Sequence, residues 1–163
     1  MTTYNTVGKS LPRVDARGKV TGETPYSGDL SMPGMLHMKM LFAGRPHARV
    51  KAIDTSKAEA APGVAAVYTA KDVPVNEYGL QWQDQPVLCG PGSAKPGADV
   101  ARFVGDQVAV VVAESEAQAA AAVKLIDVEY EDLPVVTDPV EAMKAGSLRV
   151  HEFIGDSNIC VHY

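Results

Sequence analysis

The sequence is most informative first in what it lacks. Only two of its 163 residues are cysteine, Cys89 and Cys160, and neither has a second Cys nearby. This excludes a zinc knuckle or an iron–sulfur loop and predicts buried or idle thiols. No apolar stretch approaches the ~20 residues that a bilayer crossing requires, and the opening MTTYNTVGKS has no apolar core of a secretion signal. The expectation is a cytoplasmic chain with no membrane partner. No run of Lys and Arg forms a phosphate-tracking stripe and the formal charge is -5, so nucleic acid is not an expected partner. Aromatic residues make up 6% of the chain, with a single tryptophan, Trp82.

The familiar catalytic signatures are missing as well. No Gly-x-Gly-x-x-Gly opens a helix, which leaves a dinucleotide-binding unit unsupported. The segment from Cys89 to Gly97 looks like a phosphate loop, but Pro91 and Pro96 remove two amides and no Gly-Lys-Ser/Thr follows. His37, His47, His151 and His162 show no i,i+3 or i,i+4 spacing, and neither Ser27 nor Ser93 lies in a nucleophile elbow. No catalytic, cofactor-binding or metal-binding residue is assigned.

What remains is an ordinary globular composition, 46% hydrophobic and 21% charged. A chain of this length buries roughly 70% of the surface its unfolded form exposes, enough for a real core. Residues 1–29 have no sustained apolar period and read as an extended arm; residues 30–163 read as the folded domain. Met35 to Ala43 reads as a strand, as do Val50 to Asp54 and Val64 to Thr69. Between the last two, Ser56 and Glu59 form a capping-box pattern that predicts a short helix from Lys57, stopped by Pro62 and Gly63.

The order then returns. Val108 to Ala113 is a continuous apolar run, as expected of a strand covered on both faces. Ser115 and Gln118 repeat the capping pattern ahead of an alanine-rich helix to about Lys124, and Ile126, Val128 and Tyr130 alternate as a strand. SKAEAA and SEAQAA open the two helices, and Asp72-Val73-Pro74 echoes Asp132-Leu133-Pro134. A duplicated β-α-β half and chance recurrence both account for this. The predicted class is α/β (α+β), a mixed β-sheet with two β-α-β halves and an extended N-terminal arm.

Pro74 to Ala98 is a long Gln-, Asp-, Pro- and Gly-rich loop, a length usually associated with function or mobility. Trp82 within it is either an anchor pinning the loop to the core or a ligand platform. Arg45, His47 and Arg49 surround Pro46, giving either a capped turn or a docking contact for an anion. Arg45, His47, Arg49 and Trp82 are the candidate partner contacts. Asp127, Glu129 and Glu131 share one strand face, which reads as a solvated row or as a patch for a basic partner.

A family resemblance rests on KVTGETPYSGDL from Lys19, then PGMLHMKML, RPHARV, IDTSKAEAAPGVAAVYTAKDVP, RFVGDQVAVVVAES and VEYEDLPVV, in that order. This succession resembles the N-terminal α/β hammerhead domain of molybdenum hydroxylase large subunits, relatives of xanthine dehydrogenase, aldehyde oxidase, aerobic carbon monoxide dehydrogenase and 4-hydroxybenzoyl-CoA reductase. It spans about Val7 to Ile159. The resemblance implies a full complex with molybdopterin cytosine dinucleotide and molybdenum, two-iron two-sulfur clusters and FAD. None of these cofactors is expected in this chain, because the cofactor-binding segments and catalytic glutamate of such enzymes lie in the region after this domain. The implied partners are the molybdenum-binding remainder of the large subunit, an iron–sulfur subunit and an FAD subunit. The implied role is a structural and assembly module, with a free-standing non-catalytic binding protein as the alternative. Two departures stand out: many relatives have Ser where this chain has Arg45, and residues 81–98 are not among the segments that carry the resemblance.

Overall fold

A computed structural model describes residues 4–80, 82–153 and 155–162. The chain forms two compact units, Met1–Met35 and Leu36–Tyr163. Gln81, within the long loop, and Ile154 lie outside the described residues, as do Tyr163 and the first three residues.

The first unit holds a helix α1 (Ala16–Thr21) and a single 3-10 turn at Ser27–Asp29, and neither buries a residue. The sequence predicts only extended chain here. The helix arises from local charge instead of an apolar face. Asp15 precedes it and pairs with Lys19 one turn on at 2.7 Å and with Arg13 at 2.5 Å, and Gly22 ends it at φ 77°, a conformation that costs glycine little. Lys19 foremost, then Arg13, holds the Asp15 carboxyl below its usual range.

The second unit contains β1 (His37–Phe42), β2 (Ala48–Asp54), α2 (Ser56–Glu59), β3 (Val64–Thr69), β4 (Val100–Ala101), β5 (Gln107–Ala113), α3 (Glu116–Val123), β6 (Asp127–Asp132) and α4 (Pro139–Ala142). The strands form two three-stranded sheets, in the orders β1-β5-β3 and β4-β2-β6. Every pairing is antiparallel. One mixed sheet is the sequence-based expectation, and this is where the structure corrects it. Both β-α-β halves exist, but each sends its two strands to different sheets: β2-α2-β3 crosses from the second sheet to the first, and β5-α3-β6 crosses back. A parallel return needs a dozen or more connecting residues, and residues 55–63 are too few. In the other half both edges of β5 are already occupied by β1 and β3, so β6 pairs with β2.

The helices cover one face of the first sheet. Ala58 of α2, Ala122 of α3, and Ala109 and Val111 of β5 are buried there together with Ile126. Alanines at the contact let helix and strand approach closely, since a larger side chain has no space between the layers. A second cluster joins Val108 of β5 to Val50, Ala101, Ala43 and Cys89, with Ile53, Val128 and Tyr130 packed on it. A third lies on the opposite face of β5, where Val110 meets Ala70 and Leu88.

Helix starts follow the expected chemistry at one site and depart from it at the other. Ser115 caps α3, its hydroxyl accepting from the Gln118 N–H at 3.3 Å. At α2 the cap moves one residue upstream: Thr55 occupies the cap position and donates from its hydroxyl to Glu59 Oε1 at 2.5 Å. The Asp54 carboxylate, just ahead, accepts from the Ser56 N–H at 3.0 Å. The Ser56 hydroxyl foremost, then its N–H, holds the Asp54 carboxyl below its ordinary value. The carboxylate thereby satisfies the first amide of the helix, and Ser56 enters the first turn instead of capping it.

Val111 is fully buried beneath α2 and α3. Val111→Ala should lower unfolding free energy by on the order of 2 kcal/mol through lost burial and the cavity left behind. Urea titration of the two proteins measures the difference.

Candidate functional site

The cations flagged around Pro46 come together on the second sheet, and each finds a partner within the chain. In the β2–β6 register Ala48 faces Asp132 and Arg49 faces Glu131. Arg45 lies 3.6 Å from Asp132 with its guanidinium 5.5 Å above the Tyr130 ring. Arg49 forms a close ion pair with Asp99 and stands 3.9 Å from Glu131, which Lys51 also approaches at 3.6 Å. The ring of His47 meets the Pro134 carbonyl at 2.6 Å, and the Leu133 N–H donates to the His47 carbonyl at 3.0 Å. The arrangement closes the turn against β6. Glu131 and Asp132 are neutralised by these bases, whereas Asp127 and Glu129 face solvent.

Trp82 shares none of these partners. It sits at the tip of the long loop, which is folded as a braced hairpin. Buried Asn76 acts as a short piece of strand: its Nδ2 donates to the Leu88 carbonyl at 2.8 Å and its Oδ1 accepts from the Leu88 N–H at 2.9 Å. Tyr78 and Gln85 exchange two backbone bonds at 2.9 and 3.1 Å. Lys95 donates to the Gln83 carbonyl at 2.6 Å and lies 3.5 Å from Glu77. Gly79 is required at the turn, because a Cβ there would collide with the Trp82 carbonyl oxygen. The Cys89 and Gly90 amides, which a phosphate loop would need, are used by the Gln107 and Ala98 carbonyls.

The anchor reading of Trp82 fails. The side chain is 57% exposed and belongs to no core cluster. It walls a groove of about 380 Å³ together with Asp84, Val150, His151 and residues 155–160. Asn158 shapes the floor by donating to the carbonyls of Ala142 and Leu148 and accepting from the Val150 N–H at 2.8 Å. Burial foremost, and the nearby Arg102 charge, push the His151 imidazole below its usual pKa; its ring stands 4.0 Å from Asp84.

Sequence reasoning missed Arg102 and Asp106 as the pins of this region. Arg102 donates to the carbonyls of Gly97, Val100 and Val150, and the Asp106 carboxylate accepts from the Arg102 and Phe103 amides. The signal was RFVGD itself, where an Asp closes a Gly-containing turn.

Cys89 is fully buried, and Cys160 is exposed. Burial, aided by the charge of Asp106, raises the Cys89 thiol to about 12 from 9.0. Among the described residues no three His, Cys, Asp or Glu side chains converge to hold a metal ion. No chemical step is assigned through a metal centre.

This is the architecture of a small α+β module. Residues 21–134 match the family model described as aldehyde oxidase and xanthine dehydrogenase, a/b hammerhead domain. The chain belongs to that family. It is 48% identical over 151 residues to a probable xanthine dehydrogenase subunit of Bacillus subtilis, a match covering 92% of this chain and 19% of that protein. It is 38% identical over 157 residues to the carbon monoxide dehydrogenase large chain of Afipia carboxidovorans, covering 96% of this chain and 19% of that one. Among solved structures, quinoline 2-oxidoreductase of Pseudomonas putida 86 superposes with a TM-score of 0.75 at 37% identity, over 94% of this chain and 20% of the other. A Cu,Mo-CO dehydrogenase gives 0.76 at 37% identity, over 91% and 18%. The chain thus spans about a fifth of the length of these relatives.

The polar pins and the buried thiol each have a measurable consequence. Asn76→Ala strips the Leu88 amide and carbonyl of their partners and should cost about 1–3 kcal/mol; hydrogen–deuterium exchange at Leu88 should accelerate accordingly. The Cys89 thiol is neutral in the folded state, while the unfolded thiol ionises near pH 9. Its contribution to stability is complete below that pH and lost as pH rises toward about 12, at about 1.4 kcal/mol per pH unit. Denaturant titrations across that window should show Cys89→Ala with a shallower alkaline decline than the parent.

Proposed function

We propose that the chain is the N-terminal structural and assembly module of the large subunit of a molybdopterin-dependent oxidoreductase of the xanthine dehydrogenase family, with no complete active site of its own. The observation that carries this reading is a folded domain that matches long large-chain relatives over nearly all of its own length and about a fifth of theirs. The surface supports it. On the face of the first sheet turned away from the helices, Met38 stands in register with Val112 and Ala66, and Met40 with Val110 and Tyr68. Part of this face is covered by Ala70 and Leu88, but Met38 is 58% and Tyr68 48% exposed. A contiguous apolar patch of this kind marks a contact surface.

In this reading, molybdopterin cytosine dinucleotide with molybdenum is held by the remainder of the large subunit, and the two-iron two-sulfur clusters and FAD by partner subunits. The residues of this domain contribute packing: they exclude water from the faces they cover and set the position of what lies against them. Among the described residues no helix is long and apolar enough to cross a membrane, and the reading places the assembled enzyme in the cytoplasm.

The test is the intact mass of the native polypeptide captured from its source cells by an antibody to this domain. A polypeptide several times 17.3 kDa, co-purifying with an iron–sulfur protein, is the expected result. A free species near 17.3 kDa without such a partner would instead establish the free-standing binding protein.

A further inference from the structure

With the strand that precedes each, the two β-α-β halves become β1-β2-α2-β3 and β4-β5-α3-β6. Among the described residues, every ladder joins a strand of one half to a strand of the other: β1 with β5, β3 with β5, β2 with β4, and β2 with β6. The first sheet sets a strand of the second half between two of the first, and the second sheet sets a strand of the first half between two of the second. Exchanging the halves leaves this topology unchanged. The registers obey the same exchange. Asp54 at the end of β2 faces Asp127 at the start of β6, and Ala113 at the end of β5 faces Val64 at the start of β3. The helices meet between the sheets' crossings: Ala58 of α2 and Ala122 of α3 share one buried cluster, and the Glu114 N–H donates to the Gly63 carbonyl at 2.8 Å. Gln118 of α3 fills the space that a side chain at residue 63 would take. SKAEAA and SEAQAA lie at the two helix starts, and Asp72-Val73-Pro74 and Asp132-Leu133-Pro134 at the exits of the two last strands. Duplication puts such echoes at matching places in both halves, and chance recurrence does not.

We propose that the domain is a strand-exchanged dimer joined in one chain: its two halves are each other's docking surface, and either half folds onto a complementary half supplied by a second copy of the chain. The physical reason lies in the pairing. A half by itself has no strand to pair with among its own, so its strand N–H and C=O groups would remain with water, and its alanines and valines would lack the opposing layer. The arrangement is that of a domain-swapped pair with both partners on one polypeptide. Residues 74–98 join the halves, and such a covalent link raises local concentration without adding contacts between them. The proposal holds whether or not the chain is part of a large subunit, because it concerns contacts inside the domain alone.

The experiment uses the full chain with a protease recognition sequence inserted between Trp82 and Gln83, in the exposed part of that loop. After cleavage the two fragments should co-elute as one species, with the amides of residues 108–113 protected within roughly threefold of the uncut chain. Separated in urea and returned singly to buffer, each fragment should lose that protection by about a hundredfold or more, and mixing them should restore it. A second-half fragment carrying an isotope label should also exchange into cut, unlabelled protein, which shows that a half from another copy serves equally. Co-expression of residues 1–82 and 83–163 as separate polypeptides gives the same readout without an insertion, should the inserted chain fail to fold. A half that keeps a protected ladder by itself, as an ordinary lobe with its own sheet would, overturns the proposal. So do fragments that part on cleavage or fail to recombine. The large-subunit reading is untouched by either result, since the native mass decides it.

Discussion

The second unit depends on the double burial of β5. This strand pairs with β1 on one side and β3 on the other, and its side chains enter all three core clusters: Val108 under the second sheet, Ala109 and Val111 beneath the helices, and Val110 on the opposite face. A strand with no solvated face cannot alternate polar and apolar residues, which is why residues 108–113 read VAVVVA. It also makes the two halves of the domain interdependent. Each half leaves one strand on the sheet that β5 organises and one on the sheet that β2 organises, so neither has a complete core alone.

Around this centre, irregular backbone is held by side chains that imitate strands. Asn76 pairs with Leu88 as a peptide unit would, Asn158 gathers the carbonyls of Ala142 and Leu148, and Arg102 gathers three more. Buried backbone polar groups must find partners, and long loops satisfy them only when such side chains supply the donors. The consequence for function is that loops which would otherwise be mobile present fixed surfaces. The charged residues of β2 and β6 act in the same direction: Arg45, Arg49 and Lys51 against Glu131, Asp132 and Asp99 close a turn and set a register. As largely exposed pairs they contribute little to stability.

Much of this was legible in the sequence, and the pattern of what was not is physical. β1, β3, β5 and β6 declared themselves by period and apolar runs, and Ser115 marked the start of α3. The cap of α2 falls one residue upstream of Ser56, at Thr55, where the Asp54 carboxylate already holds the Ser56 amide. The helix α1 was invisible because it rests on an Asp15–Lys19 pair instead of an apolar stripe. For the candidate contacts, the sequence identified Arg45, His47, Arg49 and Trp82 by chemistry but not by circumstance. The partners of the first three lie dozens of residues away, on β6, at Leu133 and Pro134 just after it, and at Asp99, and the exposure of Trp82 depends on a hairpin closed by Asn76 and Leu88.

By itself, then, the sequence determined the main strands, the two helices between them, the class and the kinship, because local hydrogen bonding and side-chain period are written in neighbouring residues. Only the tertiary structure decided that the strands divide into two antiparallel sheets, that the cations are consumed internally and that Trp82 stands in solvent. Those outcomes turn on which distant segments occupy the two edges of β5 and the two edges of β2. That competition is settled by burial across the whole domain, and no local run of residues records its result.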